Sequence, residues 1–208
     1  MELEYSTVIS PNDHMWITGK QWYFDVGRSA LDCNKSALTT THIAPTSILD
    51  LPCGHGRVCR MLRAFFPHAQ LTACDLDRDG VDFCAAQFNA TPVYSHEDIW
   101  RVSLDQCFDL IWCGSLFTHL DAPQLPDFLG FFAEHLSPDG VLVFTTHGRQ
   151  PMAFVCRQLE RWPSLRLIGF HEAGWTGHQD VVSCARMRKP WPNLDELMVW
   201  MTLNCSLL

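Results

Sequence analysis

Between residues 46 and 148, short apolar runs alternate with stretches in which apolar residues recur every three or four positions. Short runs rich in β-branched and aromatic residues predict buried strands, and the helical spacing predicts amphipathic helices. The predicted strands are 47–51, 70–76, 91–95, 108–114 and 141–147. The predicted helices are 57–66, 78–88 and 122–136, the last followed by a turn at 137–140. Strands that alternate with helices in this order are typical of βαβ units and a mostly parallel sheet.

The pattern changes after residue 148. A helix is predicted at 150–162, and strands are predicted at 165–171 and 179–186. Because the segment between these two strands is too short for a helical crossover, they are expected to form an antiparallel hairpin. We therefore predict a Rossmann-like, doubly wound α/β fold with a seven-stranded sheet, mostly parallel, whose last strand is antiparallel.

The two ends of the chain are expected to cover this core as parts of a single domain. Residues 1–45 are interpreted as a helical cap or lid, with a helix at 19–38 packed over the sheet edge. Residues 46–186 form the core. The remaining residues, 187–208, are predicted to be a helical tail that begins at the N-cap residue Asn193.

Composition narrows the choice of partners and surroundings. The formal net charge of −8 disfavours nucleic acid, whose phosphates require a basic surface. The ten cysteines contain no C-x-x-C pair, so we interpret them as buried thiols of a cytoplasmic protein and expect no metal site. The first residues resemble no signal peptide, and no apolar run is long enough to span a membrane.

The segment "DLPCGHG" at 50–56 joins the first predicted strand to its helix. Such a turn lies at the carboxyl end of a parallel sheet, where ligands bind. Its glycines allow the backbone to approach a ligand, and the following helix presents free N–H groups. Pro52 fixes φ and has no N–H to donate, so we interpret it as a residue that stiffens the turn.

Two acids follow the next predicted strands and extend this site. Asp75 lies about twenty residues beyond the glycine loop, a distance suited to a carboxylate that binds ribose hydroxyls. Asp98 follows the third strand and is placed to accept from an exocyclic amine. These positions predict an adenosine ligand. The third glycine of a dinucleotide fingerprint is missing after Gly56, which disfavours NAD.

Together these segments resemble the class I S-adenosylmethionine-dependent methyltransferases, in particular those that act on small molecules. The resemblance runs from about residue 47 to 186. It rests on "LDLPCGHGR", "LTACDLD", "HEDIW", "FDLIWCGSLFTHL" and "LSPDGVLVFTTHG" in this order. The family implies S-adenosyl-L-methionine as cofactor, S-adenosyl-L-homocysteine as product, and a seven-stranded sheet with an antiparallel last strand.

The resemblance also implies roles for individual residues. Asp50 would orient the loop and bind the methionine ammonium, Asp75 would bind the ribose diol, and Asp98 would accept from the adenine amine. The other cofactor-binding residues implied are Pro52, Cys53, Gly54, Gly56, Leu76, Ile99, Cys113, Gly114 and Ser115.

Methyl transfer from a sulfonium depends mainly on alignment, but a hydroxyl or ammonium acceptor must also lose a proton. Candidate bases are His147, at the end of the fifth strand, and His119, in the loop after the fourth. The other histidines outside the hairpin, including His96, carry no special assignment. The candidate substrate and lid residues are Tyr23, Phe24, Arg28 and Trp175.

We therefore expect methylation of an oxygen or nitrogen atom of a small molecule. A nucleic-acid or protein methyltransferase is an alternative, although the loop after the fourth strand lacks the Asn/Asp-Pro-Pro-aromatic motif and the paired glutamates of those classes. A non-catalytic subunit that binds the cofactor is another alternative. The sequence leaves open the acceptor and whether the chain forms a homodimer.

Overall fold

The computed structural model describes residues 3–16, 20–121, 123–147, 165–175 and 178–187. The strands are β1 (Ser47–Asp50), β2 (Gln70–Asp75), β3 (Thr91–Tyr94), β4 (Phe108–Cys113), β5 (Leu136–His147), β6 (Leu165–Trp175) and β7 (His178–Met187). The helices are α1 (Lys20–Thr41), α2 (Cys59–Phe65), α3 (Arg78–Phe88) and α4 (Leu125–His135). Short 3-10 helices lie at His14–Trp16, Ile99–Arg101 and Leu116–Thr118.

The strands form one sheet in the order β3-β2-β1-β4-β5-β7-β6. Strands β1 to β5 are parallel to one another, while β7 pairs antiparallel with both β5 and β6. The parallel arrangement confirms the predicted Rossmann-like α/β class. The chain reverses its direction of winding between β1 and β4, so the carboxyl ends of these strands border a crevice suited to a ligand.

Residues of the central strands alternate between two hydrophobic clusters, one on each face of the sheet. Ile48, Leu110 and Val141 pack in the cluster that contains residues of α1, α2 and α3. Their chain neighbours Leu49, Ile111 and Leu142 pack in the opposite cluster, with α4. Successive side chains of a strand point to opposite faces, and helices cover both faces of this sheet. The strands are therefore mostly apolar on both faces and do not alternate between apolar and polar residues.

Two expectations about the elements need correction. Helix α1 contributes Tyr23 and Phe24 to the same cluster as Ile48 and Leu110, so it covers a face of the sheet and not its edge. The expected turn at 137–140 belongs to β5, which begins at Leu136. The predicted helices at 150–162 and 193–208 lie outside the described residues.

Helix α3 begins and ends where its local chemistry predicts. The Asp77 side chain accepts hydrogen bonds from the backbone N–H groups of Asp79 and Gly80, which caps the first turn. After the last turn Asn89 has φ 51°, a left-handed conformation that stops the helix. The Asp77 cap also fixes the loop after β2, which forms one wall of the candidate site.

No helix in the described ranges has the length and apolar character that a membrane crossing requires.

Candidate functional site

The glycine loop after β1 has the backbone conformation that its composition predicts. Gly54 has φ 49° and Gly56 has φ 79°, and the Leu51–Pro52 peptide bond is cis. A methyl group at Gly56 would come within 2.3 Å of the Phe88 ring, whereas one at Gly54 would meet nothing within 4 Å. The loop is therefore packed tightly against α3 at Gly56 and is open at Gly54.

Asp50, the last residue of β1, is a buried acid without a hydrogen-bond partner. It is 1% exposed, and neither carboxylate oxygen contacts a donor. Burial raises the pKa of this carboxyl well above its ordinary range; Cys84 and Asp75 raise it further, and Arg57 lowers it. An orphaned buried carboxylate of this kind fits a site whose cationic ligand supplies the missing donor.

Asp75, at the end of β2, holds the glycine loop. Its Oδ2 accepts a hydrogen bond of 2.7 Å from the Gly54 N–H, and its Oδ1 accepts one of 3.0 Å from the Asp77 N–H. Each carboxylate oxygen can accept a further hydrogen bond, and Asp75 lines the cavity described next. Asp75 therefore orders the loop and remains an acceptor for ligand hydroxyls.

A cavity of about 250 Å³ opens at the carboxyl ends of β1, β2 and β3. Three of the predicted cofactor residues line it: Pro52, Asp75 and Leu76. The Leu76 side chain is 61% exposed, so an apolar group faces the solvent at the place where a flat aromatic ligand would cover it. The rest of the wall consists of Leu51, Ser95, His96, Glu97, Leu116, Leu120, Gln124 and Phe128.

In the loop after β3 the residues that line the cavity are the neighbours of the predicted Asp98, whose role toward the adenine amine stays a prediction. The cavity is lined by His96 and Glu97, whereas Asp98 is absent from its wall. The Asp98 carboxylate instead accepts from the Trp100 N–H and caps the 3-10 helix at Ile99–Arg101. The Ile99 side chain packs in the hydrophobic core. His96, to which no role was assigned, accepts the Asp98 N–H on its Nδ1 at 2.9 Å.

The predicted methionine end of the site, Cys113 to Ser115, lies at the end of β4 beside β1. The register pairs Asp50 with Trp112, which places Cys113 one residue beyond this pair. Ser115 has φ 64°, and its N–H donates to the Thr145 hydroxyl at 2.7 Å. A methyl group at Gly114 would overlap the Trp112 indole. The backbone here is therefore held rigidly next to the unpaired Asp50.

The Cys53 thiol belongs to a cluster of buried cysteines beneath the loop. The Cys53 and Cys84 thiols both lie against the Gly54 carbonyl, at 3.4 Å and 3.6 Å. Hydrogen bonds from Cys53 and Cys59 lower the pKa of the Cys84 thiol. The Cys53 N–H donates to the Cys74 carbonyl at 3.0 Å, so this residue holds the loop against β2.

The proposed lid residues belong to the packing of α1. Tyr23 is buried and donates to Asp13 at 2.6 Å, Phe24 packs in the core, and Arg28 bonds Asp25 and Tyr5. None of these three side chains lines the cavity. Trp175 lies on β6, and its side chain falls outside the described part of the chain.

The structure places the two candidate bases differently. His119 is exposed in the loop after β4 and is absent from the cavity wall, although Leu116 and Leu120 on either side of it belong to that wall. The backbone of His147 ends β5, and its side chain is not among those described.

Three polar residues of the loop region were missed by sequence reasoning. His55 contacts Asp79 at 2.8 Å through its Nε2, and this contact fixes the loop to α3. Arg60 is 1% exposed and donates to the carbonyls of Gly56, Ser6 and Val8, which fixes the N-terminal segment to the loop. Arg57 stacks on the rings of Trp22 and Tyr23. The sequence contains one indication of these contacts, which is the group of arginines that follows Gly56, including Arg57 and Arg60.

These observations allow a test of whether the residues present fit S-adenosylmethionine. The cofactor carries an ammonium, a ribose diol and an adenine ring, and the site offers the unpaired Asp50, the acceptor Asp75 and the exposed Leu76 in that order along adjacent strand ends. The residues fit. Within the described residues, no group of three or more His, Cys, Asp or Glu side chains is arranged to hold a metal ion.

Comparisons with known proteins show similarity to methyltransferases. Residues 48–140 match a protein family described as "Methyltransferase domain". The chain is 34% identical over 108 residues to a malonyl-[acyl-carrier protein] O-methyltransferase of Bacillus cereus, covering 51% of this chain and 39% of that protein. It is 31% identical over 131 residues to the enzyme of that name from Bacillus anthracis, covering 62% of this chain and 48% of that protein. The chain thus spans less than half the length of these two relatives.

Among solved structures, the chain resembles the N-methyltransferase NodS from Bradyrhizobium japonicum WM9 in complex with S-adenosyl-L-homocysteine. The TM-score is 0.64 at 16% identity, and the match covers 86% of this chain and 93% of that one. This likeness concerns the fold. Over residues 48–140 the chain is therefore similar in sequence to a methyltransferase domain, and its fold is similar to that of an S-adenosylhomocysteine-bound methyltransferase.

Proposed function

We propose that this chain binds S-adenosylmethionine at the carboxyl ends of β1 and β2 and transfers its methyl group to an oxygen or nitrogen atom of a small molecule. The observation that carries the proposal is the fully buried, unpaired Asp50 carboxylate beside a glycine loop held open by Asp75. When bound, the cofactor supplies a methyl group on a positively charged sulfur, ready for in-line displacement.

In this proposal the residues of the chain bind and orient the reactants. Asp50 accepts from the methionine ammonium, Asp75 from the ribose hydroxyls, and Leu76 packs on the adenine ring. His96 and Glu97 form the wall at the adenine end of the cavity. Catalysis then comes chiefly from holding the acceptor in line with the sulfonium methyl group. Roles for His119 or His147 as bases stay predictions.

Two observations support a small acid as the methyl acceptor. The relatives named above are O-methyltransferases that act on a malonyl group carried by a protein, which favours an oxygen acceptor. The formal net charge of −8 and the absence of the adenine-amine motif disfavour nucleic acid. A small acid, free or as a thioester, is therefore the first class of acceptor to assay.

Isothermal titration with S-adenosylmethionine, S-adenosylhomocysteine and NAD tests the cofactor assignment. We expect binding of the first two and none of NAD. Asp75→Asn should weaken binding of both by at least about tenfold, because one carboxylate oxygen that accepts from the diol becomes an amide donor. Asp105→Asn, an exposed acid in the segment before β4, is the matched control and should leave affinity unchanged.

Binding of NAD without the methyl-cycle ligands would refute the cofactor proposal. Equal affinities for wild type and Asp75→Asn would refute the role of Asp75 alone. A methyl-release assay over small carboxylic acids, their thioesters, alcohols and amines then identifies the acceptor class.

A further inference from the structure

A buried guanidinium joins the glycine loop to the N-terminal segment, residues 6–13. Arg60, in the first turn of α2, is 1% exposed. Its Nε donates to the Gly56 carbonyl at 3.0 Å, and one of its terminal nitrogens donates to the carbonyls of Ser6 and Val8 at 2.9 Å and 2.8 Å. One side chain therefore bonds the loop and the N-terminal segment at the same time.

A second contact joins the same two parts of the chain. The Asp79 carboxylate, in the first turn of α3, accepts from the Asn12 amide at 3.0 Å and contacts the His55 ring at 2.8 Å, both through Oδ2. Three consecutive loop residues are each held by a different charged side chain: Gly54 by Asp75, His55 by Asp79 and Gly56 by Arg60. Two of these three side chains also bond the N-terminal segment.

Packing alone does not account for an arginine at position 60. Among the residues that the structure describes, no carboxylate oxygen lies within 4.0 Å of its guanidinium. The guanidinium lies instead over the rings of Tyr23, Phe24 and Phe88. Burying a charge without an ionic partner is costly, and an apolar side chain would fill this space without that cost. What the guanidinium alone supplies is a fork of donors directed at two parts of the chain.

We infer that Arg60 is a positioning residue for the proposed cofactor site, which sets the glycine loop by tying it to the N-terminal segment. The inference rests on the proposed function. Gly54 and Gly56 both have positive φ, and a glycine backbone has many alternative conformations. A loop that is already held in one conformation loses less entropy when a ligand binds. The N-terminal segment thus contributes to affinity, although none of its described residues lines the cavity.

Calorimetry with S-adenosylhomocysteine compares wild type, Arg60→Met and Arg63→Met, with denaturant unfolding to verify that each protein is folded. We expect Arg60→Met to weaken binding by about tenfold, because the loop loses its tie to the N-terminal segment. Arg63→Met is the matched control and should bind like wild type. Arg63 lies in the same helix and also donates to several backbone carbonyls, but these belong to Phe88, Pro67, Ala69 and Asn89, outside the loop and the N-terminal segment.

Hydrogen exchange supplies a readout that a purely structural role of Arg60 would not give. Because coupling between two binding events is reciprocal, a ligand that requires the held loop must also stabilise the N-terminal segment on it. S-adenosylhomocysteine should therefore slow amide exchange in residues 6–13 of wild type, by up to the factor by which Arg60→Met weakens binding. This slowing should persist in Arg63→Met and be lost in Arg60→Met.

Three results would overturn the inference: wild-type affinity in Arg60→Met, equal weakening of affinity in Arg60→Met and Arg63→Met, or unchanged exchange of residues 6–13 when wild type binds S-adenosylhomocysteine. If Arg60→Met does not fold, Arg60→Lys and Arg63→Lys decide through the same comparison, since lysine keeps the charge without the fork. Failure of wild type to bind S-adenosylhomocysteine would refute the proposed function and the inference with it.

Discussion

At the end of β1, the Asp50 carboxyl has both oxygens shielded from solvent and no donor in contact. The titratable groups within electrostatic range of it are Asp75, Arg57 and a set of buried thiols, Cys53, Cys59, Cys74, Cys84 and Cys113. Burial is the largest influence on the Asp50 pKa and raises it, so the unliganded protein holds this proton at pH values where the unfolded chain has released it.

The raised pKa of Asp50 makes the free energy of unfolding depend on pH. Between the ordinary carboxyl pKa of about 3.9 and the raised value, the folded state binds more protons at Asp50 than the unfolded state. The Asp50 contribution to the free energy of unfolding therefore falls as pH rises through this window. Asp50→Asn removes it. Denaturant unfolding from about pH 5 to about pH 8 should show a downward trend in wild type that is weaker in Asp50→Asn.

The same proton should be released when the ammonium group of a ligand reaches Asp50. We expect S-adenosylhomocysteine binding to release a proton in wild type, detected by calorimetry in buffers of different ionisation enthalpy. Parallel pH profiles of stability for wild type and Asp50→Asn would contradict the buried neutral acid. Binding without proton release would show that Asp50 stays neutral beside the ligand.

Residues in loops were harder to assign from sequence than residues at strand ends. Asp50 and Asp75 end apolar strands, so the pattern fixes their position at the sheet edge, and they lie where it predicts. Asp98 lies in a loop with His96 and Glu97, where no periodicity indicates which side chain faces inward. The loop turns Asp98 onto the Trp100 N–H and leaves its neighbours to line the cavity.

At the scale of elements, the strand and helix positions from 46 to 135 follow the sequence pattern closely because the sheet is covered on both faces. Helix α3 occupies 78–88 as predicted. The position of α1 was predicted less well, since an amphipathic pattern shows that one side is buried but does not show against what. Its partners are α2 and the face of the central strands, which only the assembled sheet defines.

The glycine loop gives a prediction at this scale, because its two glycines differ in their surroundings. Gly56→Ala combines a left-handed backbone with a distance of only 2.3 Å between the new methyl group and the Phe88 ring of α3. We expect a loss of about 2–4 kcal/mol in the free energy of unfolding. Gly54→Ala has the same kind of backbone conformation but open space around the new methyl group, so we expect a loss of about 1 kcal/mol.

The effect of these substitutions on ligand affinity should differ from their effect on the free energy of unfolding. The methyl group at Gly54 occupies the open side of the loop, so Gly54→Ala should fold and lose affinity for S-adenosylhomocysteine. Chemical denaturation followed by calorimetry measures both quantities on the same preparations. Full affinity in a folded Gly54→Ala protein would show that the ligand does not approach the loop at this residue.

At the scale of the whole molecule, the cavity wall gathers segments that are distant in the chain. It combines the loops after β1, β2, β3 and β4 with the start of α4. These segments belong to different sides of the sheet, since α4 packs on one hydrophobic cluster and α2 and α3 on the other. A ligand in this cavity therefore contacts four loops and α4 at once.

The thermal stability of the whole chain should therefore report which ligand the cavity accepts. A ligand at about 100 times its dissociation constant adds about 2.7 kcal/mol to the free energy of unfolding. For a chain of this size that corresponds to a rise in Tm of roughly 5–10 °C. We expect S-adenosylhomocysteine to produce such a rise. Methylthioadenosine, which lacks the amino-acid end, should produce a smaller one at the same concentration because it leaves Asp50 unpaired.

NAD is the matched control, because it contains the same adenosine but requires room for a second nucleotide and a third glycine in the loop. It should leave Tm unchanged at the same concentration. A rise with NAD equal to that with S-adenosylhomocysteine would mean that the site recognises adenosine alone. Equal rises with methylthioadenosine and S-adenosylhomocysteine would mean that Asp50 contributes nothing to binding, in spite of its burial at the end of β1.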